Sequence, residues 1–120
     1  IKFDLIYSRD FIYYLSKKEM IFHINNVHRS LKKNGLFLFH FIEKDLVIKK
    51  KLKKQYNFEK NYVLKKFSEP NNPIKFYDKA FFKEILDDVD FKILGTKFVI
   101  ESFGIKEKKA RINKYILCTN

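Results

Sequence analysis

One hundred and twenty residues, 46% of them hydrophobic and 18% aromatic, supply enough apolar material for one core and exclude a chain disordered throughout. No apolar run reaches the roughly 18 residues of a membrane-spanning helix, and no basic region, apolar segment and cleavage site open the chain, so the expected compartment is the cytoplasm, with no membrane partner. The net charge of +12 attracts phosphate, but it rests almost wholly on lysine, with only Arg9, Arg29 and Arg111 as arginines, which argues against a nucleic-acid partner read through bidentate guanidinium groups.

Phe3 to Ser8 is a short apolar run, suited to a strand covered on both faces of a parallel sheet. Ser8-Arg9-Asp10 breaks that pattern at the carboxyl end of the strand, the edge at which open α/β sheets bind ligands. Phe11 to Leu15 reads as an aromatic helical turn, where Asp10 could alternatively serve as a simple cap with Arg9 as its surface partner. Ser16-Lys17-Lys18-Glu19 fits a capping box and should start a helix. Met20, Ile21, Ile24, Val27 and Leu31 form its apolar stripe, with His23 and His28 expected to face solvent. The helix is expected to stop at Lys33-Asn34-Gly35, where Asn or Gly can adopt the left-handed conformation. Leu36 to Ile42 follows as a central strand, with His40 as a hydrogen-bonded core imidazole. Together these segments predict one βαβ unit.

From Glu43 to Lys66 the chain turns strongly basic, with Ile48, Leu52 and Tyr56 on a thin apolar edge, and a helical insertion is expected at about 43–77. Ser68 to Pro73 is its clearest loop. Asp78 caps a helix over Lys79 to Asp87 that buries Phe81, Phe82, Ile85 and Leu86. Phe91 to Phe103 is a long strand with a bulge at Gly95, Gly104 to Lys109 a charged turn, and Ile112 to Thr119 a last strand antiparallel to it. The lone Cys118, in an apolar run, has no disulfide partner and is expected in the core. No group of residues resembles a metal site.

The succession FDLIYSRDFIYYLS, a helix ending in LKKNG, then LFLFHFI resembles the fourth strand, following helix and fifth strand of class I S-adenosylmethionine-dependent methyltransferases. Their usual helix end is Leu-Lys-Pro-Gly-Gly; here Leu31, Lys32 and Gly35 match, and Lys33 and Asn34 differ. Further on, Asp90 stands where Gly is common before the sixth strand. The resemblance implies an α/β fold, the C-terminal half of a Rossmann-like domain, with parallel strands and a terminal antiparallel hairpin in the spatial order four, five, seven, six. It also implies that the chain is a partial domain whose N-terminal half is missing. The Gly-rich turn and the ribose-binding acid of that half are not found here: Gly35, Gly95 and Gly104 make no G-x-G pattern.

In that family the loop after the fourth strand borders the methionine part of the cofactor and faces the methyl acceptor. The resemblance therefore assigns Ser8, Arg9 and Phe11 to cofactor binding, and Asp10 to positioning or deprotonating a small-molecule acceptor. Ser8-Arg9-Asp10 also resembles the loop of phosphoethanolamine methyltransferases, in which a His four residues after the Asp assists; Tyr14 stands in that place here and is assigned as an auxiliary polar contact. The lysine-rich segment would suit an anionic acceptor. The expected function is methyl transfer from S-adenosylmethionine in the parent protein, with the chain inactive by itself. The alternative is a non-catalytic basic α/β module that binds nucleic acid or a protein partner.

Overall fold

Ser16 sets where the first long helix begins. Its hydroxyl accepts from the Glu19 amide at 3.3 Å, and the Glu19 carboxylate accepts from the Ser16 amide at 2.7 Å, the expected capping box. In this computed structural model the described residues are 1–42, 77–103 and 109–120. The expected basic insertion therefore lies outside them apart from Tyr77, as do the Ser68 to Pro73 loop and most of the turn at 104–109.

Helix α1 (Lys17–Ser30) buries Met20, Ile24 and Val27 as its spacing requires. Ile21, expected in the same stripe, is instead 38% exposed. It lies about 100° round the helix from Met20, off the line that Met20, Ile24 and Val27 already complete. His23 and His28 also depart from expectation, since both rings pack inward: His28 meets Phe91 edge-on at 4.9 Å and His23 meets Phe37 at 6.2 Å.

The helix ends at Ser30, earlier than the Lys33-Asn34-Gly35 stop. Leu31 turns extended because it is needed elsewhere: it is buried in the core and makes the first register contact with Phe3. The corner after it divides two tasks between two residues. Asn34 takes the left-handed conformation at φ 61°. Gly35 supplies room, since a Cβ there would meet the Lys32 carbonyl oxygen at 2.9 Å and Leu31 Cβ at 3.1 Å.

Strands β1 (Phe3–Ser8), β2 (Leu31–Ile42), β3 (Lys92–Phe103) and β4 (Lys109–Thr119) form one sheet in the order β1-β2-β4-β3. β1 and β2 are parallel, while β4 is antiparallel to both β2 and β3. This is the expected order of fourth, fifth, seventh and sixth strands. The register of β3 slips between Ile93 and Gly95, leaving Leu94 as the extra residue of a bulge where one was expected.

Helix α2 (Lys79–Asp88) starts with the Asp78 carboxylate accepting from the Phe81 amide at 2.8 Å. Its other end is a Schellman motif: the Phe91 amide donates to the Leu86 carbonyl at 2.9 Å and the Asp90 amide to that of Asp87 at 3.1 Å. Asp90 takes the left-handed position at φ 63°. That conformation explains why glycine is common there and why the short polar Asp is tolerated.

Alternation along β2 points Phe37, Phe39 and Phe41 at the helices, together with Ile116 and Cys118 of β4. Ring centroids lie 4.9 Å apart for Phe37 and Phe39, 5.1 Å for Phe39 and Phe82, and 4.4 Å for Phe41 and Phe82. Cys118 sits in this core, its thiol donating to the Phe37 carbonyl at 3.6 Å and its pKa pushed up to about 12 by burial. Phe3, Leu5 and Tyr7 of β1 stand 50%, 54% and 44% exposed, and among the described residues β1 pairs with β2 alone. No helix among the described residues is long and apolar enough to cross a membrane.

Two outcomes follow from this core. Phe39→Ala should cost about 3–5 kcal/mol in urea denaturation, against less than about 0.5 kcal/mol for the exposed Phe22→Ala. Cys118 should resist Ellman's reagent at about pH 8 in the native protein and react fully once the chain is unfolded in guanidinium.

Candidate active site

The parallel pairing of β1 with β2 carries Ser8 to the carboxyl end of the sheet, level with Phe39, and the next residues turn over that end. Asp10 turns the chain with φ 50°, a conformation that costs a non-glycine residue about 1–2 kcal/mol. Three neighbours hold it. Its amide donates to His40 Nε2 at 2.9 Å, the Tyr13 hydroxyl donates to its Oδ1 at 3.1 Å, and Arg9 Nε lies 3.3 Å from its Oδ2. Its carboxylate remains 45% exposed. The 3-10 turn Ile12–Tyr14 has Phe11 as its N-cap, with no side-chain cap from that residue.

Of the residues assigned from the sequence, Ser8 is buried, whereas Arg9, Asp10 and Phe11 are exposed along one short rim. Tyr14 packs its ring on Tyr13 at 4.8 Å, and the Tyr13 hydroxyl donates to the Asp10 carboxylate. The end of this segment is tied to the rest of the fold by the Tyr77 hydroxyl, which donates to the Leu15 carbonyl. Burial, then the nearby Glu19 carboxylate, raises the pKa of the Tyr77 phenol.

His23 closes the other side of the loop. Its Nε2 is 2.9 Å from Ser8 Oγ, and its ring meets Phe11 edge-on at 5.1 Å. Burial lowers its pKa, which favours a neutral imidazole able to share this hydrogen bond. Phe11, His23, Phe22 and Asn26 are among the walls of a surface hollow of about 610 Å³ beside the loop.

No family model matches the chain, and no curated protein matches it. Solved structures do. A SAM-dependent methyltransferase from Methanosarcina mazei aligns with a TM-score of 0.68 at 15% identity, over 99% of this chain and 59% of that one. Magnesium protoporphyrin IX methyltransferase from Synechocystis PCC 6803 aligns at 0.63 and 16% identity, over 99% of this chain and 45% of that one. An O-methyltransferase family 2 protein from Planctomyces limnophilus gives 0.64 at 14% identity, over 100% and 31%. The fold is that of the C-terminal half of a class I methyltransferase domain. The chain spans less than two thirds of the length of each of these methyltransferases.

Within this fold, His23 and His40 are the site neighbours that sequence reasoning passed over. A signal was present for each. Position 23 falls three after Met20 and four before Val27, on the buried stripe itself. His40 sits near the carboxyl end of β2, where a strand parallel to β1 must run past the loop that follows β1.

The His23 shift carries a sign. Its folded pKa lies below the unfolded value of 6.5, so the unfolded chain binds the proton more readily. The stability associated with neutral His23 should be complete above about pH 6.5 and be lost as pH falls through the folded pKa. Urea midpoints measured between about pH 5 and 8 should show this decline, and His23→Gln should flatten it.

Proposed function

We propose that the chain is the acceptor-side half of an S-adenosylmethionine-dependent methyltransferase acting on a small-molecule nucleophile. The observation that carries the reading is Asp10: a carboxylate at the carboxyl end of β1, held in a left-handed turn by His40, Tyr13 and Arg9, with nearly half of its surface left open. Support comes also from the structural neighbours, of which the Synechocystis enzyme was determined with bound SAH and the Planctomyces protein in complex with apigenin.

The loop suits one border of such a cofactor, offering backbone from Ser8 to Phe11, the exposed Phe11 ring and the Arg9 side chain. It does not offer a complete site, since none of the three glycines lies in it to let a backbone approach closely. S-adenosylmethionine, when bound, supplies an electrophilic methyl carbon. The chain's own part is to align the acceptor, which supplies most of the rate. Asp10 accepts the hydrogen bond of the acceptor N–H or O–H and takes its proton as the new bond to carbon forms. Tyr14 adds a polar contact, and Tyr13 orients the Asp10 carboxylate. The exposed Phe3, Leu5 and Tyr7, and the edge of β1, suit cover by an N-terminal half carrying the glycine-rich turn. The lysine-rich segment suits an anionic acceptor.

A second reading, a basic binding module, draws on a hollow of about 570 Å³ at the opposite end of the sheet, lined in part by Lys2, His28, Arg29 and Lys33. It expects salt-dependent binding to single-stranded or duplex nucleic acid that survives Asp10→Ala.

In the parent protein, Asp10→Asn should lower methyl transfer by about 10²–10⁴-fold, read as S-adenosylhomocysteine released with a panel of amine, phenol and phosphobase acceptors. The 120-residue chain assayed alone should release none. A loss below tenfold would remove Asp10 from the site, and turnover by the isolated chain would sink the half-domain reading.

A further inference from the structure

We propose that His40 is a positioning residue that sets the Asp10 turn, and through it the direction of the Asp10 carboxylate; the catalytic consequence rests on the methyltransferase reading above. His40 is 1% exposed and occupies the row Leu36, Leu38, His40, Ile42 along one face of β2. The other members of that row are aliphatic, so packing alone does not call for an imidazole there. A buried imidazole nitrogen costs free energy unless it is engaged. Here Nε2 accepts from the Asp10 amide at 2.9 Å.

The ring cannot easily turn away from this task. Tyr115 of β4 stacks on it at 4.9 Å and 25° between planes, and Tyr13 meets it edge-on at 5.9 Å. The direction of Nε2 is therefore set by Tyr115 from the sheet and by Tyr13 from the loop. Asp10, in turn, has a backbone conformation that a non-glycine residue keeps only where its surroundings over-determine it. The amide bond to His40 restrains the Asp10 backbone, while Oδ1 of its carboxylate accepts from the Tyr13 hydroxyl at 3.1 Å and lies 3.4 Å from His40 Nε2, so His40 meets both the backbone and the side chain of the turn. An acceptor at Nε2 places the proton of the neutral ring on Nδ1.

The test begins with the 120-residue chain labelled with ¹⁵N. A long-range ¹H–¹⁵N spectrum should show His40 Nε2 unprotonated in the neutral ring, and the Asp10 amide should exchange slowly with solvent. His40→Gln, whose amide oxygen can stand near Nε2 and accept, should keep Asp10 exchange within about threefold of wild type, whereas His40→Leu should speed it by about tenfold. If neither variant folds, the wild-type spectrum decides, and a proton on Nε2 of the neutral ring overturns the proposal.

The functional arm uses the parent methyltransferase. His40→Leu should slow methyl transfer in the wild-type background, His40→Gln should recover it, and His40→Leu should add nothing once Asp10→Asn is present. Equal losses in both backgrounds would make His40 merely structural and overturn the proposal. Should Asp10→Asn leave methyl transfer intact while Asp10 exchange still follows residue 40, the methyltransferase reading fails and the His40 contact stands.

Discussion

Strand β2 is hydrogen-bonded on both sides, to β1 in parallel and to β4 antiparallel, and its side chains therefore serve two faces of the sheet at once. Toward the helices it presents Phe37, Phe39 and Phe41, which receive Met20, Ile24 and Val27 from α1 and Phe82, Ile85 and Leu86 from α2. Toward the other face it presents Leu36, Leu38, His40 and Ile42. A slip of one residue in its register would exchange the two rows, moving His40 into the helix layer and away from Asp10. Packing of the core and geometry of the loop are thus consequences of the same pairing.

Among the described residues, three that are not glycine adopt left-handed backbone conformations, Asp10, Asn34 and Asp90, and each marks a change of direction. Asp90 closes α2 in a Schellman motif whose Phe91 and Leu86 are both buried, so local hydrogen bonds and core packing support the turn together. Asn34 lies at the corner between α1 and the regular part of β2, beside the crowded Gly35. Asp10 differs from both in that part of its support is distant in the chain. Its amide is bonded to a residue 30 positions away, on the neighbouring strand. Strain restrained by distant contacts is the pattern associated with sites rather than with ordinary turns.

The two ends of the sheet also differ in character. At the carboxyl end of β1 the polar groups are engaged with one another: Ser8 with His23, Asp10 with Arg9, Tyr13 and His40. At the opposite end the lysines and Arg29 line a shallow hollow around Asp90 and Asn34. The first is a structured arrangement with defined donors and acceptors, which discrimination of a small molecule requires. The second is a concentration of charge, which attracts anions without selecting among them.

Much of this architecture follows from local chemistry and could be read directly. The capping box at Ser16, the Asp78 cap, the alternation of β2, the bulge near Gly95 and the burial of Cys118 depend on neighbours within a few residues or on a hydrophobic period, and all stand where the sequence puts them. Strand order was legible through likeness to a known succession of elements rather than through any pairing rule. Tertiary contacts decided the rest. Leu31 left the helix because β1 and the core required it, Ile21 lost its place once Met20, Ile24 and Val27 filled the interface, and His23 turned inward because Ser8 lay opposite. The meeting of His40 with Asp10 was only half legible for the same reason: the position of His40 near the carboxyl end of β2 puts it close to the loop after β1, but a hydrogen bond between residues 30 apart depends on the parallel register of two strands, which local sequence does not set.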